Sequence, residues 1–149
     1  MNREELEGQV ARLQDACRKA GVKLTHQRLE IFREVTASPD HPDAEAVYRA
    51  VKRRLPTVSL DTVYRTLSLL GDLGFVSTLG PKRESVRYDA NLSPHHHFVC
   101  VRCGLARDFE SAALDGLQLP DTVRELGTVT AMHLEVRGVC AACAVAEKA

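Results

Sequence analysis

The sequence contains no run of about 18 apolar residues, so nothing in it is long and apolar enough to cross a bilayer as a helix. Its first ten residues, MNREELEGQV, carry charge where a signal peptide needs an apolar core. Internal repeats and low-complexity tracts are missing as well, which leaves one ordinary domain or two small ones in 149 residues. Net charge is zero, 20 Lys and Arg against 20 Asp and Glu, which argues against a strongly basic polyanion binder. Cysteine is scarce, five in all, yet four of the five fall in two CxxC pairs. Without an export signal thiols are expected to stay reduced in the cytoplasm, where paired cysteines are more often metal ligands than disulfides.

The charge that is present is unevenly spread. Residues 1–88 hold 15 Lys and Arg against 12 Asp and Glu, a net of +3, and residues 89–149 hold 5 against 8, a net of −3. A mildly basic first part is compatible with DNA contact by an N-terminal domain. That part reads as helices. Leu6, Val10, Leu13, Cys17 and Ala20 recur three and four apart on one helix ended by Gly21. Cys17 lies in this stripe and reads as a small buried hydrophobe. Thr25 is placed to cap a second helix through Leu29, Ile31, Phe32 and Val35. A third spans Ala44 to Arg54, with Ala46, Val47, Ala50 and Val51 inward and Pro56 as its stop.

The fourth helix carries the functional signal. Ser59 caps SLDTVYRTLSLLGDLG, whose buried face is Leu60, Val63, Leu67 and Leu70, while Thr62, Arg65 and Ser68 look outward. Gly74 ends it, and FVSTLG and SVRYD read as two strands turning at Gly80-Pro81. Helices followed by a two-stranded hairpin make a winged helix, in which the capped fourth helix enters the DNA major groove. Ser59, Thr62 and Arg65 are thereby candidates for DNA contact.

The second part switches to period two: HHHFVCV, LARDFE and TVTAMHLEVRGV read as strands, with a helix from about Ala112 to Leu126 that Pro120 interrupts. Cys100/Cys103 and Cys140/Cys143 can complete one tetrahedral thiolate site of the kind structural Zn(II) favours, with Gly104 suited to the tight turn after the first pair. A redox motif would need only one pair. The histidines before the first pair divide by strand geometry, His95 and His97 on one face and His96 on the other. With Asp89 and Asp108 on neighbouring strands they suggest a second centre of nitrogen and oxygen donors, suited to Fe(II), Mn(II) or Zn(II). The alternative is a solvated histidine cluster. His41, in the turn SPDHPD, would tie the two parts together if it reached that centre.

The segments GVKLTHQR, HPDAEAVYRAV, VSLDTVYRTLSLLGDLGFV, VRYD, HHHFVCVRCG, DFE and LEVRGVCAAC resemble the ferric uptake regulator (Fur) family of metal-dependent transcription regulators, nearly end to end. The resemblance implies an α+β chain, an N-terminal winged-helix DNA-binding domain (residues 1–84) and a C-terminal α/β dimerisation and metal-binding domain (residues 85–149). It implies a homodimer that represses from AT-rich palindromic operators of double-stranded DNA when its regulatory metal is bound, and no enzyme. By position, Cys100, Cys103, Cys140 and Cys143 match the structural zinc ligands. His41, Asp89, His95, His97 and Asp108 match the regulatory site, Tyr64 and Arg65 the DNA-contacting pair, and Lys23 a basic residue reaching toward the minor groove.

Asp108 stands where the family's peroxide sensors, called PerR, carry aspartate and its iron sensors glutamate. In the former, Fe(II) reacts with hydrogen peroxide and a ligand histidine is oxidised, which would be His41 or His95. The alternative is an iron-responsive repressor without peroxide sensing, and Arg65-Thr66 is closer to that group. A further metal site of some members is lost at Pro94 and Met132. His133 is displaced by one residue and, on a strand, would point to the opposite face, so it and His96 have no assigned role. A zinc hydrolase using the His/Asp site would need an open coordination position and a general base, and would leave the recognition helix unexplained.

Overall fold

Four helices, each begun by a side chain that caps it, build the first part of the chain. The computed structural model describes residues 1–79 and 86–148, and the chain divides into two compact units, Met1–Leu92 and Ser93–Ala149. The expected Gly80-Pro81 turn and the expected join between residues 84 and 85 lie outside the described residues.

Helix α1 (Arg3–Lys19) opens with a reciprocal capping box between Asn2 and Glu5. Helix α2 (His26–Ala37) is capped by Thr25, whose hydroxyl accepts the Arg28 N–H. Asp43 caps α3 (Ala44–Lys52) and Ser59 caps α4 (Leu60–Asp72), each accepting an N–H three residues on. These oxygens satisfy donors that a helix start leaves open. The apolar stripes then meet in one core that includes Leu13, Ile31, Phe32, Val35, Val47, Val51, Val63, Leu67 and Leu70. Phe32 and Phe75 close it edge to face, with ring centroids 5.8 Å apart. Cys17 is buried in the same core.

Three details depart from the sequence reading. Helix α3 ends at Lys52, two residues early, because the Arg54 N–H turns back to the Val51 carbonyl ahead of Pro56, which bars helical geometry at Leu55. The Arg54 side chain then reaches α2, 3.2 Å from Glu30 and 2.9 Å from Glu34. Ala20 is exposed, and Ala46, Ala50 and Leu60 are only half-buried. Thr66 is buried beside Leu67, so the inner face of α4 is wider than its leucines indicated. Strands β1 (Ser77–Leu79) and β2 (Arg87–Asp89) pair antiparallel, Ser77 opposite Asp89, as the expected wing.

The second unit is a three-stranded sheet in the order β4-β3-β5. Strand β3 (His96–Cys100) pairs antiparallel with β4 (Ala106–Phe109), which sets His97 opposite Asp108, and parallel with β5 (Glu135–Gly138). The parallel pairing needs a crossover, and it is made of two short helices rather than the single one expected. Helix α5 (Ala112–Asp115) stops at Gly116, and α6 (Asp121–Leu126) starts at Pro120, whose fixed φ suits a helix start but not its interior. Of the expected strand 128–139 only β5 forms. Helix α7 (Ala141–Lys148), which periodicity did not reveal, follows Cys140 directly. Among the described residues the buried apolar side chains of this unit are only Cys100, Ala106 and Cys140. So small a core needs a further staple.

Candidate metal centres

The staple is available where the cysteines meet. The turn after β3 closes through the Gly104 N–H to the Cys100 carbonyl at 3.0 Å, with Gly104 in the left-handed region that a side chain would disfavour. One ligand atom from each of Cys100, Cys103, Cys140 and Cys143 lies within 4.8 Å of the others. A zinc ion with sulfurs at about 2.3 Å in a tetrahedron requires sulfurs about 3.8 Å apart, and Cys103 Sγ and Cys140 Sγ are 3.8 Å apart. All four thiols are free, and the donor set fits Zn(II).

Backbone dipoles already favour thiolate there. The Cys103 N–H, and after it the Cys140 N–H, lower the Cys100 thiol to about 6 against the resistance of burial. The Cys140 N–H lies 3.3 Å from Cys100 Sγ, and α7 begins immediately beyond with its positive end beside the cluster. Cys143 is pushed up to about 12, first by its hydrogen bond with Cys140 and then by that with Cys103. The surroundings thus favour thiolate at Cys100 and oppose it at Cys143, and a dication relieves that opposition.

The nitrogen and oxygen donors fall into two groups. In the first unit, His41 Nδ1 lies 3.6 Å from Asp89 Oδ1, and both side chains are buried. The Asn91 N–H donates to the same Asp89 oxygen at 2.9 Å. In the second unit, His95 Nε2 and His97 Nε2 are 3.1 Å apart, and Asp108 Oδ1 lies 3.3 Å from His97 Nε2 and 3.9 Å from His95 Nε2. The two imidazoles share one face, as period two required. His95 is further fixed by its Nδ1, 2.6 Å from the Ser93 carbonyl. Imidazole and carboxylate without thiolate suit Fe(II), Mn(II) or Zn(II), so each group offers the donors of a transition-metal site, buried at His41 and Asp89 and open to solvent at Asp108.

His96 faces away into other work: its Nε2 lies 2.9 Å from Asp115 Oδ1 and its Nδ1 accepts the Leu134 N–H. His133 is not on a strand, contrary to the strand-based expectation, and its ring centroid lies 6.3 Å from that of His97. The sequence reading also missed Arg87. The signal was present, because Arg87 and Asp89 alternate onto one side of β2.

On α4 the Ser59 hydroxyl is spent on the Thr62 N–H at 3.1 Å and lies 2.9 Å from the Thr62 hydroxyl. Tyr64 is 48% exposed, and Arg65 is exposed with Asp61 one turn back at 2.9 Å. Lys23 is exposed too, and its carbonyl accepts from Arg28. Ser59 and Thr62 thus shape the helix start, while Tyr64, Arg65 and Lys23 are exposed.

The model of the ferric uptake regulator family matches residues 19–136. The chain is 38% identical over 140 residues to the peroxide-responsive repressor PerR of Staphylococcus epidermidis, covering 93% of this chain and 90% of that protein. It is 30% identical to a solved ferric uptake regulator from Pseudomonas aeruginosa with manganese, with a TM-score of 0.68 over 86% of this chain and 97% of that one. The Helicobacter pylori ferric uptake regulator Fur shares the fold at a TM-score of 0.78, covering 93% of each chain at 24% identity.

Proposed function

The chain belongs to the ferric uptake regulator family of metal-responsive repressors, and from that premise we propose that it senses hydrogen peroxide through oxidation of a metal-bound histidine. In this reading Cys100, Cys103, Cys140 and Cys143 hold a structural Zn(II). His41 and Asp89 from the first unit and His95, His97 and Asp108 from the second close on one regulatory Fe(II) or Mn(II). A ligand set drawn from both units makes the ion's binding energy favour one arrangement of the DNA-reading unit. The proposed DNA surface is α4 with Tyr64 and Arg65, entered at Ser59 and Thr62, together with Lys23. A second copy has an edge strand to meet, since β5 ends the sheet among the described residues and exposes Val136.

Fe(II), when bound, would activate hydrogen peroxide for O–O cleavage beside an imidazole, with the imidazole itself as the net two-electron donor. In net terms one peroxide oxygen is transferred to an imidazole carbon of His41 or His95 and the other leaves as water. The Ser93 carbonyl fixes the His95 ring, and Asp89 lies beside the His41 ring. An oxidised ring is a poorer ligand, the two units lose their shared ion, and DNA is released.

The observation that carries this reading is Asp108 as the carboxylate beside His95 and His97, in a chain 38% identical to a peroxide-responsive repressor. The test is aerobic peroxide treatment of the Fe(II) form followed by peptide mass spectrometry. A gain of one oxygen on the peptide holding His41 or His95, with loss of operator binding, supports it. An unmodified protein that rebinds DNA on addition of metal would leave the iron-responsive repressor as the function.

A further inference from the structure

His41 is the one described non-glycine residue with a left-handed backbone, at φ 50°. That conformation crowds the side chain of any L-residue. It also directly precedes Pro42, whose ring narrows the backbone choices of the residue before it. A turn so constrained needs support from outside itself.

Arg87 of β2 supplies it, from 46 positions along the chain. Its Nε donates to the His41 carbonyl at 2.8 Å, and its Nη2 donates to the Asp40 carbonyl at 2.5 Å. The backbone around it joins in: the Tyr88 N–H donates to the Pro42 carbonyl at 3.0 Å, and Arg87 bridges Asp43 in antiparallel register. Two residues further along the same strand, Asp89 places Oδ1 3.6 Å from His41 Nδ1. One three-residue strand therefore holds the backbone of the histidine with one side chain and faces its imidazole with another.

We propose that Arg87 is a positioning residue of the sensing site, its guanidinium fork holding the left-handed turn at Asp40–His41 so that the His41 and Asp89 donors are in place before metal arrives. This rests on the reading that His41 and Asp89 are regulatory ligands. The fork matters: a planar guanidinium offers two N–H groups at fixed spacing to two successive carbonyls, which a lysine ammonium cannot reproduce. Arg87 itself touches no metal. It acts through the backbone of His41.

The experiment compares full-length zinc-loaded wild type with Arg87→Lys and Arg87→Ala. Three readouts are needed: Mn(II) titration by calorimetry, operator binding at low and saturating Mn(II), and amide hydrogen exchange at Tyr88 before Mn(II) is added. We expect Mn(II) affinity to fall by about 10- to 100-fold in both variants. Zinc content should stay stoichiometric, and saturating Mn(II) should restore operator binding. The Tyr88 amide, which reports the anchored turn without metal, should exchange faster in both. Mn(II) binding within twofold of wild type would overturn the proposal. So would operator binding that excess Mn(II) fails to restore, since that outcome assigns Arg87 to the fold of the wing. A wild type that takes up no Mn(II) while keeping its zinc would overturn the sensing-site reading itself, and leave Arg87 a turn to hold but no site to position.

Discussion

His96 Nε2 lies 2.9 Å from Asp115 Oδ1, and because its Nδ1 accepts the Leu134 N–H, the proton of the neutral ring sits on Nε2 and is donated to that carboxylate. One buried imidazole thus ties β3 to α5 and to the chain entering β5. Both of its nitrogens are engaged outside the His95–His97–Asp108 group.

His96→Ala is expected to destabilise the zinc-loaded protein by about 1–3 kcal/mol, because the Leu134 N–H loses its acceptor inside the fold. His96→Asn keeps an acceptor near Nδ1 and should recover part of the loss. Asp115 is 40% exposed, and Asp115→Asn retains an acceptor for the ring N–H, so it should cost less than either. Urea unfolding followed by circular dichroism measures all three. Equal stability of His96→Ala and wild type would remove this link from the account of the fold.

Much of the arrangement was legible because it rests on local chemistry. The caps at Thr25 and Ser59 follow from a hydroxyl placed before an apolar stripe, and the pairing of His95 with His97 follows from the alternation of a strand. The two CxxC pairs were legible as one candidate four-thiolate centre, since a compact unit between them can return its ends together. What could not be read depends on partners distant in sequence. Residues 128–134 alternate like a strand but form no ladder among the described residues, since a strand exists only through its neighbour and the register with β3 begins at Glu135. Pro120 was visible, but whether it would interrupt one helix or begin another depended on the crossover it serves. The Arg87 contact with Asp40 and His41 joins residues 46 and 47 positions apart, beyond any periodicity.

Cys100 gives a pH signature in zinc-free protein. The N–H groups of Cys103 and Cys140 hold its thiol at about 6, below the ordinary cysteine value of about 8.5. A group lowered by folding favours the folded state above its unfolded value and loses that contribution as pH falls through about 6. Thiolate absorbance should therefore show a first step near pH 6 that vanishes in Cys100→Ser and in denaturant. A single step at the ordinary thiol value in the folded protein would contradict the geometry around Cys100. Zinc binding displaces the remaining thiol protons, so zinc affinity should fall with acidification.

Arg65 and Lys23 should separate two kinds of DNA contact. The Arg65–Asp61 pair is exposed, 81% and 72%, so its loss costs little stability. Arg65→Ala should nevertheless weaken operator binding by about 1–3 kcal/mol if it reads a base edge, and relax selectivity at one position. Lys23→Ala should weaken binding to all sequences alike and reduce the salt slope by about 1. Fluorescence anisotropy on operator and scrambled duplexes across a salt series distinguishes them. An Arg65→Ala protein with unchanged affinity and selectivity would move the reading surface off this face of α4.

In the proposed reading, Asp108 is the residue on which peroxide sensing and iron sensing would part. Its Oδ1 lies 3.3 Å from His97 Nε2, and the short side chain brings its carboxylate to the imidazoles from the neighbouring strand. Asp108→Glu adds one methylene, so the carboxylate beside His95 and His97 would reach further toward an ion held there and would crowd the approach of peroxide. The variant should keep Mn(II)-dependent operator binding within a few-fold, since donor type and charge are unchanged. Histidine oxidation by peroxide in its Fe(II) form should slow about tenfold or more. The paired measurement is operator binding under Mn(II) and the rate of oxygen incorporation at the His41 and His95 peptides under Fe(II). Slowed oxidation with retained binding locates the sensing chemistry at this carboxylate. Equal oxidation rates would mean that access of peroxide is governed elsewhere in the ligand set, and the peptide that carries the added oxygen would show which imidazole receives it.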